Sequence, residues 1–501
     1  MNAVLARVHE AVDDVGVILT EGLVSRPILG ERLGDDRVHA ILRRLNRVPE
    51  EGRREAVWHL ILQGFDRRIL RAARGKGRRR YRNWTGAHAP EVERPEDAGI
   101  YSYAMGPIPP EIARVTDPVD RIGMCVQRRY RGLGSPRGGV ASPPGGHVGG
   151  QDEVIVGGLY GFSMQMDGQV WRIRWSDGRI EPYCRPPRMP SGAAVLGTKI
   201  IVCVCRWSER ERPTAELGGI YAFDSLGDPK PGTLVPAEPV ALRVPWRDGY
   251  EWGRGEDDSD PTAVTVYTEA EIRNNELSLD EVQRLDVSRP ICYPNDLAID
   301  SEGRYLYFTE PSPYTSMGLE SKIEAVKLTR NGRLWRVDLA EGRIGLAAER
   351  LAFVDGVLPL DDGVLVTELS RFRMLKLDFT RGEVSATVAD LPGMPDGATR
   401  FDGKIWQSLL HERTWPINLL HKWAWLKWLY VRLPSFLKPP PGCGILVLDD
   451  KTLKPLYCTM HDGSRMTHLA TVTPSERGIF LPSFHESSRG LHWIDDPLHR
   501  T

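Results

Sequence analysis

One pattern recurs along the chain and restricts its fold more than any other feature. Gly168-Gln169-Val170-Trp171-Arg172-Ile173 is followed by Asp177-Gly178-Arg179-Ile180, and Gly332-Arg333-Leu334-Trp335-Arg336-Val337 by Glu341-Gly342-Arg343-Ile344. Weaker copies are Gly219-Ile220-Tyr221-Ala222-Phe223-Asp224, Arg373-Met374-Leu375-Lys376-Leu377-Asp378 and Gly444-Ile445-Leu446-Val447-Leu448-Asp449. Each is an alternating strand, a polar turn and a further strand. Repeated four-stranded units with variable insertions predict an all-β fold, a six-bladed β-propeller over 151–501. The units start near 152, 186, 289, 350, 391 and 461. The second carries an insertion at about 225–285, with the acidic run Glu256-Asp257-Asp258, and the fifth carries one at about 412–440. The last unit, ending in Leu491-His492-Trp493-Ile494, is expected to borrow a closing strand from 118–127.

The region ahead of the repeats has a different texture. Residues 1–83 read as an α-helical N-terminal extension, because Val4, Val8, Val12, Val15, Ile18 and Leu19 recur at helical spacing, as do Val57, Ile61, Phe65 and Ile69. Residues 84–150 form a Pro- and Gly-rich connecting segment. The basic run at 71–82 reads as a solvated linker, because 66 basic and 67 acidic side chains leave a net charge of -1 and no bulk drive toward nucleic acid. Seven cysteines and no basic-then-apolar leader pattern give no sign of a disulfide framework. No run of 18 apolar residues occurs, and a cytoplasmic protein is expected.

In a propeller, the loops entering the innermost strands bring side chains from different units to one channel. Aligning the units superposes Pro294-Asn295-Asp296-Leu297, Val354-Asp355-Gly356-Val357 and Pro395-Asp396-Gly397-Ala398. Asn295, Asp355 and Asp396 fall at equivalent places. One amide and two carboxylates are hard oxygen donors, which suit Ca²⁺ better than Zn²⁺. Without a cation, two close carboxylates repel and one pKa rises. The competing reading is that Asp-Gly pairs are common turns. His411 ends a fifth-unit strand and His485 a sixth-unit strand near the same mouth, where either is a candidate proton relay or a satisfied structural histidine. No G-x-S-x-G or H-E-x-x-H motif is present. Cys203 and Cys205 share one strand face and read as packing.

Pro-Asn-Asp-Leu with Tyr-Phe-Thr-Glu-Pro-Ser, Gly-Arg-Leu-Trp-Arg-Val, Pro-Gly-Met-Pro-Asp-Gly and Trp-Gln-Ser-Leu-Leu-His resemble the strictosidine synthase-like branch of six-bladed propellers. The gluconolactonase (senescence marker protein) and paraoxonase families share that architecture. The resemblance covers about 150–501 and implies a Ca²⁺-dependent hydrolase of small-molecule lactones or aryl esters. It places the family's blade-three asparagine on Asn295 and its blade-five aspartate, a ligand and candidate base or nucleophile, on Asp396. The blade-four asparagine falls on Asp355, a departure that adds charge. The glutamate that opens the first blade has Gln151 in register and Glu153 as the nearest carboxylate. A sixth-blade glutamate serves alkaloid-forming condensation in the family; Arg465-Met466-Thr467-His468-Leu469 has none, which disfavours that reaction. A non-catalytic binding scaffold and a non-hydrolytic biosynthetic enzyme are the alternatives.

Within 415–437, Leu419, Trp423, Leu426, Tyr430 and Leu433 define one helix face, while Trp425 and Trp428 lie on the other. One surface cannot bury both. Peripheral membrane contact, with Lys422, Lys427 and Arg432 at the headgroups, or self-association is the expectation; burial against the N-terminal helices is the alternative.

Overall fold

The computed structural model describes residues 105–116, 128–129, 160–164, 170–174, 180–184, 186, 189–205, 218–224, 236–245, 263–284, 288–291, 293–313, 324–422, 442–463, 466–475, 478–482, 492–494 and 496–499. Contacts divide the chain into two units, Met1–Gly86 with Trp423–Pro439 and Ala87–Lys422 with Pro440–Thr501; every described residue lies in the second. The helical reading of 1–83, Gln151, Glu153, Trp425, Trp428 and His485 therefore lie outside the described residues.

The described unit is an all-β propeller. Its strands form antiparallel sheets that follow one another along the chain, at 160–184, 189–241, 265–351, 354–388, 393–461 and 473–494, with a two-strand ribbon of Arg243–Pro245 and Ser288–Pro290 beside them. Apolar and β-branched runs make strands covered on both faces. Gly332–Asp338 is buried at all seven positions. The outer strand Glu383–Val388 instead alternates exposed and half-buried residues, as an edge in contact with water does. One edge strand from each of four successive sheets, Met189–Leu196, Leu297–Ile299, Val354–Leu360 and Gly393–Phe401, touches the next in turn, and Gly393–Phe401 touches Thr473–Ser475. These strands therefore line the axis.

The apolar cores lie between neighbouring sheets. Val170 and Tyr183 of the first sheet pack on Val202 and Phe223 of the second. Trp335 and Leu346 of the third join Val366 and Leu375 of the fourth. Trp406 and Val447 of the fifth meet Val472 and Ile479 of the sixth. Chain closure is made by Arg128–Arg129, whose residues pair with Trp493 and His492 as the edge strand of the last sheet. The borrowed strand thus comes from ahead of the propeller, just past the 118–127 expected. Its partner His492–Ile494 is the next strand inward in that sheet.

Two other stretches brace the sheets. Within the 84–150 segment, helix Pro110–Val115 sends Ile112, fully buried, into the core made by Phe372 of the fourth sheet and Leu409 of the fifth. Gly106 N–H donates to Asp390 at 2.7 Å, and Thr116 bridges Cys458 in parallel. The second-unit insertion adds strands Thr265–Val266 and Leu277–Ser278 to Arg343–Leu351. Its helices Glu269–Asn275 and Leu279–Val282 start at capping boxes, Thr268 with Glu271 and Ser278 with Glu281. The buried Arg336 guanidinium anchors the insertion through Glu269 at 2.7 Å and Glu276 at 3.0 Å.

Removing the Ile112 side chain leaves a void between two sheets. Ile112→Ala should cost about 2–5 kcal/mol of unfolding free energy. Urea denaturation checks this; a loss below about 1 kcal/mol would mean that the helix does not brace the sheets.

Candidate metal centre

The innermost strands carry the site on bulges. In Met189–Leu196, Val354–Leu360 and Gly393–Phe401 the register skips two residues against one. The skipped pairs are Ser191-Gly192, Asp355-Gly356 and Asp396-Gly397, and Asn295-Asp296 occupies the same place before Leu297–Ile299. A bulge turns side chains away from the regular alternation, here toward the axis. A hydroxyl on the next strand faces three of these pairs. Thr309 Oγ1 accepts from Asp296 N–H at 3.0 Å and donates to the Asp355 carbonyl of the next sheet at 2.5 Å. Thr367 Oγ1 accepts from Gly356 N–H at 2.7 Å and donates to the Asp396 carbonyl at 3.2 Å. Ser408 Oγ donates to the Ala470 carbonyl of the sixth sheet at 2.8 Å. Glycine is required where one bulge rests on the next. A Cβ on Gly192 would stand 2.7 Å from Asp296 Cα, and one on Gly397 would stand 2.9 Å from the Ala470 carbonyl oxygen.

This belt brings Asn295, Asp355 and Asp396 together. Asn295 Nδ2 donates to Asp355 Oδ1, and the Asp355 and Asp396 carboxyls share a hydrogen bond. Asn295 and Asp355 are buried; Asp396 keeps some accessible surface. Burial pushes the Asp355 carboxyl up to about 7, against the hydrogen bond from Asp396. Burial, the neighbouring Asp355 charge and that shared hydrogen bond hold Asp396 well above the usual carboxylate range. Asp296 is a fourth member; beside Asn295 in the sequence it reads either as a carboxylate aimed at a shared central space or as a turn former. Burial pushes it up to about 7 too, although Val357 N–H at 3.2 Å and Leu297 N–H at 2.9 Å hold its carboxylate. Among the described residues, no Lys, Arg or His forms an ion pair with any of the three acids.

Three acids crowded without a cationic side chain are held by protons or by a metal ion. Among the described residues no three His, Cys, Asp or Glu side chains gather as a ligand group. The set that does gather is two carboxylates and an amide, all able to present oxygen. Rotating the Asn295 amide end for end presents Oδ1 in place of Nδ2. The donor chemistry and the uncompensated charge fit a hard divalent cation.

His411 lies on the strand Lys404–Glu412, three residues beyond Ser408, or roughly 10 Å along the strand. Its ring meets His468 edge to face, with centroids 4.5 Å apart. His468 stands two residues ahead of Ala470 with φ +54°, and its Nδ1 lies 3.0 Å from Thr467 Oγ1. His468 was not singled out in the sequence. The signal that marks it is its place two residues before a ring position. Cys203 and Cys205 are both buried, and burial pushes the Cys203 thiol far up, so they pack rather than react.

No family model matches the chain. The adipocyte plasma membrane-associated protein of Salmo salar is 28% identical over 159 residues, which is 29% of this chain and 38% of that protein. Its Bos taurus counterpart is 26% identical over 211 residues, 39% of this chain and 51% of that protein. The strictosidine synthase-like 10 protein of Arabidopsis thaliana is 28% identical over 152 residues, covering 29% and 40%. The aligned region is related to the strictosidine synthase-like proteins. The chain spans between about two fifths and half of the length of these curated strictosidine synthase-like relatives. Among solved structures, a calcium-binding regucalcin from Agrobacterium tumefaciens covers 75% of this chain and 98% of that one, with 12% identity and TM-score 0.40. A PQQ-bound aldose sugar dehydrogenase from Streptomyces coelicolor covers 74% and 97%, with 12% identity and TM-score 0.39.

The raised carboxyls give a pH signature. In the fold they keep protons that the unfolded chain has lost, so stability without a cation falls as pH rises from about 4 through about 7. Melting in chelator should show Tm falling over that range, and added Ca²⁺ should restore it most above pH 7, with proton release on binding. A Tm that rises from pH 5 to 8 in chelator would count against the cluster.

Proposed function

We propose that this chain is a Ca²⁺-dependent hydrolase of lactones or aryl esters, with the cation held by Asn295, Asp355 and Asp396. In the same reading the six consecutive sheets are the six blades of the propeller. The observation that carries the proposal is the meeting of these three oxygen donors, from three sheets, without a balancing cationic side chain among the described residues. The relation to strictosidine synthase-like proteins supports the scaffold on which that chemistry is built.

A bound Ca²⁺ supplies a Lewis acid that polarises the ester or lactone carbonyl and stabilises the developing oxyanion. Asn295 and Asp355 serve as ligands held by the bulges. Asp396 gives up its proton when the cation binds and orients the attacking water or takes its proton. The His411–His468 pair stands along the strand to pass that proton to the leaving alkoxide. Products are the free acid and the alcohol; a lactone gives one hydroxy acid.

Calorimetric Ca²⁺ titration and turnover of phenyl acetate and γ-butyrolactone, with and without chelator, test the reading. Asp396→Ala should abolish Ca²⁺ binding and lower kcat/KM at least about 100-fold, of the order expected when a main stabiliser of developing charge is removed. His411→Gln should lower kcat by roughly 10- to 100-fold with Ca²⁺ binding kept. Turnover indifferent to chelator would overturn the metal role.

We also propose that 415–437 touches a membrane surface. On helix Trp415–Lys422, Ile417 packs on the core and His421 meets Phe372 edge to face, while Trp415 is 75% and Leu419 42% exposed. Two of the relatives above are named as plasma membrane-associated. Among the described residues no helix is long and apolar enough to cross a bilayer. Trp415→Ser with Leu419→Ser should cut co-flotation with phosphatidylcholine–phosphatidylserine vesicles severalfold while Tm holds. A parent chain that never floats, or that instead dimerises through these residues, would rule this out.

A further inference from the structure

The belt of bulges has a sixth-sheet member that carries no donor. Ser408 Oγ meets the Ala470 carbonyl just as Thr367 Oγ1 meets that of Asp396 and Thr309 Oγ1 that of Asp355. Gly397 rests on Ala470 as Gly356 rests on Asp396. Ala470 is thus the register equivalent of Asn295, Asp355 and Asp396. Its carbonyl is held at 2.9 Å by Gly397 N–H, its own N–H donates to the Pro482 carbonyl at 3.0 Å, and only its methyl group is left to project. It retains accessible surface. On the other flank, the ring member Ser191 turns its hydroxyl onto the Pro294 carbonyl at 2.9 Å. Among the described ring members the carboxylate and amide donors are therefore gathered on one side, and the place next to Asp396 offers only a methyl group, with the Thr471 hydroxyl turned to the Gly397 bulge. The His411–His468 pair lies directly upstream of that place.

We propose that Ala470 is a specificity-determining position, the gap through which the non-reacting body of the substrate passes beside the metal ligands. This rests on the hydrolase reading above and extends it to substrate class. A carbonyl directed at Asn295, Asp355 and Asp396 leaves its aryl or alkyl part over a methyl group rather than a carboxylate. A charged or hydrogen-bonding ring member there would strip water from its polar atoms without a partner on an apolar substrate. The gap therefore favours esters and lactones whose body is apolar, and its width limits how large that body is.

The test compares phenyl acetate with 1-naphthyl acetate on the full chain, with Ca²⁺ titrated by calorimetry for every variant. Ala470→Val should leave Ca²⁺ affinity within about threefold and lower kcat/KM for the naphthyl ester at least tenfold more than for the phenyl ester. Ala470→Gly should shift the ratio the other way. Ala470→Asp adds a fourth oxygen donor and should tighten Ca²⁺ while turnover of both esters falls. If Ala470→Val and Ala470→Gly keep the parent ratio within twofold with Ca²⁺ bound normally, the position does not select substrate and the proposal fails alone. A parent that binds no Ca²⁺ or turns over neither ester, nor γ-butyrolactone, sinks the hydrolase reading and this proposal together.

Discussion

A hydroxyl shared between two sheets holds this molecule's axis together. Thr309 and Thr367 each accept from the bulge of their own sheet and donate to the main-chain carbonyl of the next. Ser408 continues the series into the sixth sheet. A bulge in an inner strand leaves backbone groups unpaired, and such groups buried without partners are costly. The hydroxyls satisfy them and fix the distance between sheets with the same bonds. Farther from the axis, neighbouring sheets are joined largely by apolar packing, which is non-directional, with scattered bonds such as Glu269 N–H to the Phe379 carbonyl at 2.8 Å. The axis is therefore where directional bonds set the spacing of sheets.

That spacing creates the electrostatic problem at the centre. The side chains that bulge inward are acids in the third, fourth and fifth sheets, and the same bonds that order the backbone prevent the acids from moving apart. Their charge is relieved by protons, which is why their carboxyls sit high, or by a cation. Two buried glutamates of the same fold are, by contrast, paired with cationic side chains. Glu310, one residue past Thr309, accepts both Arg289 Nη groups at 2.8 and 2.6 Å and Trp335 Nε1 at 2.9 Å. Burial alone would raise its carboxyl, but Arg289, Arg333 and Trp335 outweigh that and hold it below the usual carboxylate range. Glu368, one past Thr367, takes the Ala352 N–H and the guanidinium groups of Arg371 and Arg373. Two neighbouring residues on one strand thus do opposite work. The hydroxyl positions the acid cluster, and the paired glutamate anchors the loops around it.

The periodic part of this architecture was legible in the amino-acid order. Alternating strands, polar turns and repeated Gly-x-x-Trp-Arg units allow little other than stacked antiparallel sheets, and three superposed polar entries located Asn295, Asp355 and Asp396. The hydroxyls were written there too, at matching places in Tyr-Phe-Thr-Glu, Leu-Val-Thr-Glu and Trp-Gln-Ser-Leu, but a single threonine in a strand carries no signal until its partner in another sheet is known. Asp296 stayed ambiguous for a related reason. A carboxylate beside an asparagine after a proline has the composition of a turn, and only the N–H of Val357, 61 residues away, makes it part of the cluster.

What the sequence determined by itself is what repeats locally: the strand period, the turn chemistry, the apolar faces and the residue types offered to the axis. The tertiary structure decided which of those offerings meet. His411 and His468 are 57 positions apart and become neighbours because the fifth sheet hands its bulge to the sixth. Arg128–Arg129 became the closing strand because a ring of sheets leaves one edge unpaired and the chain ahead of the repeats reaches it. Ala470, featureless in sequence, became a ring position through bonds made to its backbone, and backbone bonds leave no trace in the choice of side chain.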